Sequence, residues 1–248
     1  MISDYVSDLN RIVSALKIEK EPVCVKYTNE TPKNDFEVSN DKYSVCGGIL
    51  EASNGKIIVL SKETCSCFGG RSHLGLVSTK DEDSNSSLEF LVEGEKLWCD
   101  TKTAFRSRIR RDNIAKPPYG LSDKVYLYPI SKNIFPPHLV LMLVNAEQTS
   151  RLITLNQFWS GKGSNIQMDG SLCWSTIVYP LVTGNFNVSV GDISARRMEY
   201  WDQNTIIVSI PIEQVHPIAA AIDKSTAGTA KTSEKFEKFV DKIRSKKI

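Results

Sequence analysis

The chain has no apolar run long enough to cross a bilayer. The longest, "HLVLMLVNA", falls well short of the about 20 residues a spanning helix needs. Its first residues, "MISDYVSDLNRIVSALKIEKEP", have neither a basic n-region nor an apolar h-region, so they do not read as a signal peptide. Neither sign of charge is in marked excess, with 31 Lys and Arg against 29 Asp and Glu. A net charge of +2 gives no electrostatic case for nucleic acid or a membrane surface as partner. Histidine is scarce, at three residues, and no C-x-x-C pair occurs. There is also no G-x-G-x-x-G or Walker pattern, which removes the usual dinucleotide and nucleotide loops. A cytoplasmic place is therefore expected. There, the six cysteines are metal-binding, reactive or buried rather than paired as disulfides.

What is present suits a soluble globule: 41% hydrophobic and 24% charged residues in 248, enough to bury a core without disulfide staples. Residues 3–17 carry Val6, Leu9, Ile12, Val13 and Leu16 at helical spacing. In "EPVCVKYT", Val23, Val25 and Tyr27 alternate with Cys24 and Lys26, which predicts a strand. "GKIIVLS", "KVYLYPI", "HLVLMLV", "NFNVSVGD" and "NTIIVSIPI" predict further strands. "TKDEDSNSSLEF" reads as a charged surface loop or hairpin tip. "KLWCDTKTAFRSRIRRDN" predicts a helix ended by Pro117-Pro118. "NAEQTSRLITLNQFWSGKG" predicts another, with Leu152, Leu155, Phe158 and Trp159 on one face and Gly161 as its stop. "EQVHPIAAAI" starts helical but contains Pro217. Residues 233–245 predict a charged helix with Phe236, Val240 and Ile243 on its apolar side. The expected fold is α/β or α+β, a mixed sheet with flanking helices, as one domain over residues 1–248.

Cys46, Cys65, Cys67 and Cys173 all sit near small or turn residues, as in "ETCSCFGGRSHLGL". Glycine lets backbone approach a bulky inorganic centre, where its N–H can donate to sulfur. Glycine also serves ordinary turns, and free cysteines often only fill space, so the residues alone leave both readings open. Cys24, in a β-branched strand, and Cys99, after Trp98, read as core.

The segments "EPVCVKY", "CFGGRSHLGL", "VNAEQTSRLITLNQFWSG", "SLCWSTIVYPLVTGNFNVSVGDISARR" and "TIIVSIPIEQV" resemble the domain-of-unknown-function family 169, a prokaryotic group rich in anaerobes and archaea. Carried over, the family pattern falls on Cys46, on Cys67 with Gly69, Gly70 and Gly75, and on Cys173 ahead of Pro180, Thr183 and Gly184. Cys65 is outside that pattern. The resemblance implies one shared thiol site, most simply an iron–sulfur cluster of the four-iron type with a redox or small-molecule activation role. Cys65 is a candidate fourth ligand. A zinc site of thiols with His73 is the structural alternative.

His73, inside the thiol loop, is a candidate hydrogen-bond donor or acid, while His138 and His216 lie beside prolines and read as structural. "NAEQTSRL" opens a helix after an apolar strand, where α/β folds place ligand crevices. That makes Gln148 and Arg151, and with them Arg196, candidates for a small anionic ligand in a non-redox binding module. "FRSRIRR" reads as a solvated helix face paired with carboxylates rather than a nucleic-acid site. Partners are thus a small molecule or a redox protein.

Overall fold

Leu9, Ile12 and Leu16 are fully buried along one side of helix α1 (Tyr5–Leu16), as their spacing predicts. The computed structural model describes residues 5–32, 36–39, 41–78, 84–198 and 201–245. After α1 come β1 (Val23–Tyr27), β2 (Val38–Ser39), α2 (Val45–Ser53), β3 (Ile57–Leu60) and the short α3 (Phe68–His73). α4 (Ser84–Glu89) runs into a π-helical turn at Phe90–Gly94 and is followed by α5 (Thr101–Ile114). β4 (Val125–Pro129), β5 (Leu139–Val144) and α6 (Ala146–Gln157) lead to a second π-helical stretch, Trp174–Val178, which continues as α7 (Tyr179–Thr183). β6 (Asn187–Ser189), α8 (Ile193–Arg197), β7 (Ile206–Pro211), α9 (Ile212–Ala221) and α10 (Glu234–Arg244) complete the order.

The strands form one seven-stranded mixed sheet in the order β2-β3-β4-β1-β5-β7-β6. Only β2 and β3 pair in parallel; the remaining neighbours are antiparallel. Because side chains alternate across a strand, the sheet has two apolar faces. Val23, Val25, Tyr27, Leu127, Leu139 and Leu141 pack with α2, Cys46, Cys65, Cys173, Trp174 and Tyr179 on one side. Cys24, Tyr128, Val140, Met142, Val208 and Ile210 pack with α1, α6 and α9 on the other. The mixed sheet with flanking helices is as expected. No helix among the described residues is long and apolar enough to cross a membrane.

Several local expectations change. Of the charged segment 79–90, residues 79–83 lie outside the described ones, but Ser84–Glu89 is helical and buries Leu88. Phe158 and Trp159 follow α6 and are exposed, so of the four apolar residues expected on its face Leu152 and Leu155 are the buried ones, joined by Gln148 and Thr149. α9 runs through Pro217, since burial of Val215, Ile218 and Ala219 against α1 and α6 outweighs the lost backbone bond. Cys99 is exposed, not core, with its thiol donating to Thr103 Oγ1 at 3.4 Å. α10 buries none of its residues, and Phe236, Phe239 and Ile243 stand exposed on it.

The π-helical stretch Trp174–Val178 explains why polar side chains lie deep in the last strands. A π segment shifts the backbone register and turns carbonyls sideways, and these need new donors. Asn187 Nδ2 donates to Ser175 O at 2.6 Å, and Ser209 Oγ donates to Thr176 O at 2.7 Å. Ser175 and Ser189 join through their hydroxyls at 2.9 Å. Asn187, Ser189 and Ser209 are each 2% exposed or less. They clamp the segment that begins just after Cys173.

Candidate metal centre

Ser44 caps α2: its Oγ accepts from Gly47 N at 3.1 Å and lies 3.1 Å from Cys46 Sγ. Gly48 lets α2 press on the sheet, because a Cβ there would stand 3.2 Å from Leu127 Cδ1. Tyr43 then pairs with the thiol loop like a short parallel strand. Tyr43 N donates to Thr64 O at 3.0 Å, and Ser66 N donates to Tyr43 O at 2.9 Å. That pairing carries Cys65 and Cys67 to the start of α2. Cys67 in turn caps α3, its Sγ accepting from Gly70 N at 3.3 Å. Gly70 is required by contact: a Cβ would meet Val45 Cγ2 at 2.6 Å and Cys65 Sγ at 3.2 Å.

Cys173 arrives from far along the chain, in the first turn of the helical stretch that contains the π segment. Asp192 fixes that turn by accepting from Leu172 N at 3.3 Å while also capping α8 through Ala195 N at 2.7 Å. Asp169 fixes it from the other side. Its Oδ1 accepts from Ser171 N at 2.9 Å and pairs with buried Arg111 of α5 at 3.0 Å, and Arg110 joins the same carboxylate. Trp174 Nε1 donates to Ala115 O at 2.9 Å, closing the same contact. The basic cluster of α5 is therefore paired with a carboxylate at Arg110 and Arg111, as expected, but Arg111 is buried where a solvated face was expected.

The thiols of Cys67 and Cys173 lie close enough to shift each other's ionisation in opposite directions. Cys67 is lowered from the ordinary thiol range, first by the neighbouring Cys173 thiol and then by the Gly70 N–H. Cys173 is raised by the neighbouring Cys67 thiol, by burial and by the charges of Cys67 and Cys46. Burial pushes Cys46 up to about 11, the Ser44 hydroxyl opposing it. Cys65 is pushed up to about 12, again first by burial, and its thiol donates to Cys67 O at 3.6 Å. Cys65 therefore acts as a clip within its own loop. Cys24 lies on the opposite face of the sheet.

Three thiols thus meet from three helix starts, where backbone N–H groups and the helix dipole favour negative charge. That donor set fits a soft, anionic inorganic centre. A single tetrahedral ion with bonds of about 2.3 Å needs sulfurs about 3.8 Å apart. Among the described residues no three His, Cys, Asp or Glu side chains gather that way.

A family model described as uncharacterised ArCR matches residues 11–221. The chain belongs to the domain-of-unknown-function family 169. Neither the curated proteins nor the solved structures compared with it match this chain. The family match spans every thiol of the site and ends before α10.

The structure gives the remaining candidates other surroundings. Gln148 closes the capping box of α6 with Asn145 and donates to Leu16 O and Lys17 O. Arg151 donates to Ala15 O, Ala227 O and Gly228 O. Both lie on the far face of the sheet from the thiols, and both tie α6 to neighbouring backbone. Arg196 donates to the carbonyls of Val190, Asp202, Gln203 and Thr205, closing the loop between β6 and β7. These three therefore read as structural clamps in place of ligand contacts. His73 sits at the end of α3 facing Arg108, Arg111 and Lys116. Burial first, and then those cations, push it down to about 3. It is neutral at pH 7, so it is no acid there. The unfolded value lies near 6.5. His73 thus contributes stability that is complete above pH 6.5 and is lost as pH falls toward 3. Urea unfolding across that window should show a steep acid limb, flattened in His73→Gln; an unchanged limb would mean that His73 meets water freely.

Sequence reasoning missed Asp169, Asp192 and Ser44. The only trace of the first two was their place just ahead of helices, where Asp is a common cap.

Proposed function

We propose that Cys46, Cys67 and Cys173 hold an iron–sulfur cluster of the four-iron type, with a redox or small-molecule activation role in the cytoplasm of anaerobic prokaryotes. The observation that carries this reading is the nearness of Cys67 and Cys173, which start two helical stretches far apart in sequence, with Cys46 beside them. A cluster held by three protein thiolates supplies electron transfer and a Lewis-acidic open iron. Cys65 is left to its loop bond, so three thiolates are favoured over four. Anaerobic purification or reconstitution, followed by iron, acid-labile sulfide and zinc analysis with electron paramagnetic resonance of the reduced protein, tests it. Iron and sulfide in near-equal amounts support the cluster. Zinc without sulfide would replace it with a structural metal site.

The same nearness of two thiols favours a second reading, a dithiol couple between Cys67 and Cys173. Two-electron oxidation would join the two sulfurs and pass two protons to the oxidant. With metal-free protein and diamide as oxidant, which is reduced to its hydrazine, peptide mapping should find the Cys67–Cys173 disulfide ahead of any bridge to Cys65. A dominant Cys65–Cys67 bridge would remove this reading.

A further inference from the structure

The net charge of +2 averages two unlike parts of the chain. Residues 231–248 hold seven of the 31 Lys and Arg but three of the 29 Asp and Glu, a net charge of +4, so residues 1–230 carry −2. That basic stretch contains α10, which lies outside the residues matched by the family model. The chain is tied to the body until just before it. Arg151 holds Ala227 O and Gly228 O, and Ala230 N donates to Ser225 O at 3.2 Å. Ser233 then caps α10, its Oγ accepting from Phe236 N at 3.3 Å. Glu234 and Lys238 pair one turn apart at 2.6 Å, and Lys242 and Arg244 complement the helix dipole in the last turn.

These local bonds hold the helix, and burial does not. Phe236, Phe239 and Ile243 are 49%, 57% and 43% exposed, with Val240 partly exposed among them. Spaced three and four residues apart, the four form one apolar stripe. A helix of three turns is marginal in water unless such a stripe is covered. The charges are sorted around it. Helical rotation puts Lys235 and Lys242 along one border of the stripe and Arg244 along the other, with Glu234 and Asp241 on the opposite side of the helix. Glu237, on the Arg244 side, is taken by the Thr232 hydroxyl. Cations beside the apolar stripe and acids farthest from it suit a helix lying on an anionic lipid surface. The lysine stems can then cover apolar surface while their ammonium groups reach the headgroups.

A second copy of the helix covers the stripe less well. A face about 16 Å long and about 10 Å wide is well short of the about 1,200 Å² that a stable interface buries. In a paired helix Lys235 and Lys242 would flank the seam and meet each other or Val240, with no carboxylate opposite. We propose that α10 docks this protein on the surface of an anionic phospholipid bilayer. Phe236, Phe239, Val240 and Ile243 enter the boundary of the acyl chains, and Lys235, Lys242 and Arg244 lie at the level of the phosphates. The helix rests in the plane of the surface and is too short to cross it. The thiol centre takes no part in this contact, which metal-free and metal-loaded protein should make alike.

The test is flotation of the full chain with vesicles of mixed phosphatidylcholine and phosphatidylglycerol, with pure phosphatidylcholine as the neutral control. The protein should float with the anionic vesicles, bind the neutral ones roughly tenfold more weakly or worse, and come off in high salt. Phe239→Ser should weaken binding roughly tenfold, the range for withdrawing one large apolar side chain, while Phe239→Leu should keep most of it. The double variant Lys235→Gln with Lys242→Gln should cost roughly tenfold on anionic vesicles and leave the weak neutral binding unchanged. All three positions are exposed, so the urea midpoint of the body should stay that of the parent protein. No flotation, equal binding to both vesicle types, or Phe239→Ser floating like the parent would overturn the docking. A dimer in sedimentation that Phe239→Ser dissolves would overturn it too, because a second copy would then be what covers the stripe.

Discussion

Serine at Cys67 or at Cys173 should empty the centre of iron, while Cys24→Ala and Cys99→Ala should retain it. Oxygen is a poor substitute for a soft thiolate ligand, and these two thiols are near enough to shift each other's ionisation. Cys46→Ser should behave like them, since its thiol neighbours both and starts a separate helix. Cys24 is fully buried on the opposite face of the sheet, and Cys99 is exposed ahead of α5, so neither can reach the site. Cys65→Ser should keep iron but change its spectrum or its loss rate in air, because the Cys65 thiol supports Cys67 O. The measurement is iron and sulfide per chain after anaerobic reconstitution, with visible absorption. Full iron in Cys67→Ser, or loss of most iron in Cys24→Ala, would show that the wrong thiols were chosen.

Asp169→Ala should cost about 3–5 kcal/mol of stability, the usual result of leaving one member of a buried ion pair without its partner. The side chains of Arg111 and Asp169 are 7% and 6% exposed, and Arg111 Nε has no partner among the described residues. Removing the carboxylate strands a buried guanidinium and also frees Ser171 N, so the first turn around Cys173 loosens. Urea unfolding gives the size of the effect. Iron uptake should fall in the same variant, though no ligand has changed. The double variant Asp169→Ala with Arg111→Met should recover most of the stability, because a well-packed apolar pair replaces a buried ion pair at little cost. A loss under about 1 kcal/mol in Asp169→Ala would mean that water reaches Arg111 and that the pair resembles a surface bridge.

The strands and longer helices were legible because their burial is periodic along the chain. Val23, Val25 and Tyr27 alternate to one face, and Leu9, Ile12 and Leu16 recur on one side of a helix. Short elements such as α3 and α8 escaped, since five or six residues show no period and their caps are single side chains. α10 shows the limit from the other side: its apolar spacing is plain, yet it buries none of its residues.

By itself the sequence determined which residue types surround each thiol, and those neighbours are local facts: glycine after Cys67, a cap before α2, an aspartate ahead of Cys173. Which thiols meet was decided only by the tertiary structure. Alternation put Cys24 on the far face of β1, so a side chain one residue from Val23 and Val25 faces α1, α6 and α9 instead of the centre. Gln148 and Arg151 looked like ligands because they open a helix directly after an apolar strand. Their partners are backbone carbonyls of α1 and of the segment after α9, far away in sequence. Tyr27 read as a strand residue and His138 as structural, and they became the lining of a cavity only when the 115–121 segment and the end of α7 closed around them. A hydrogen-bond partner or a cavity wall brought in from another part of the chain leaves no periodic mark on the residues beside it, so local pattern shows which face a side chain takes and folding alone shows what it meets there.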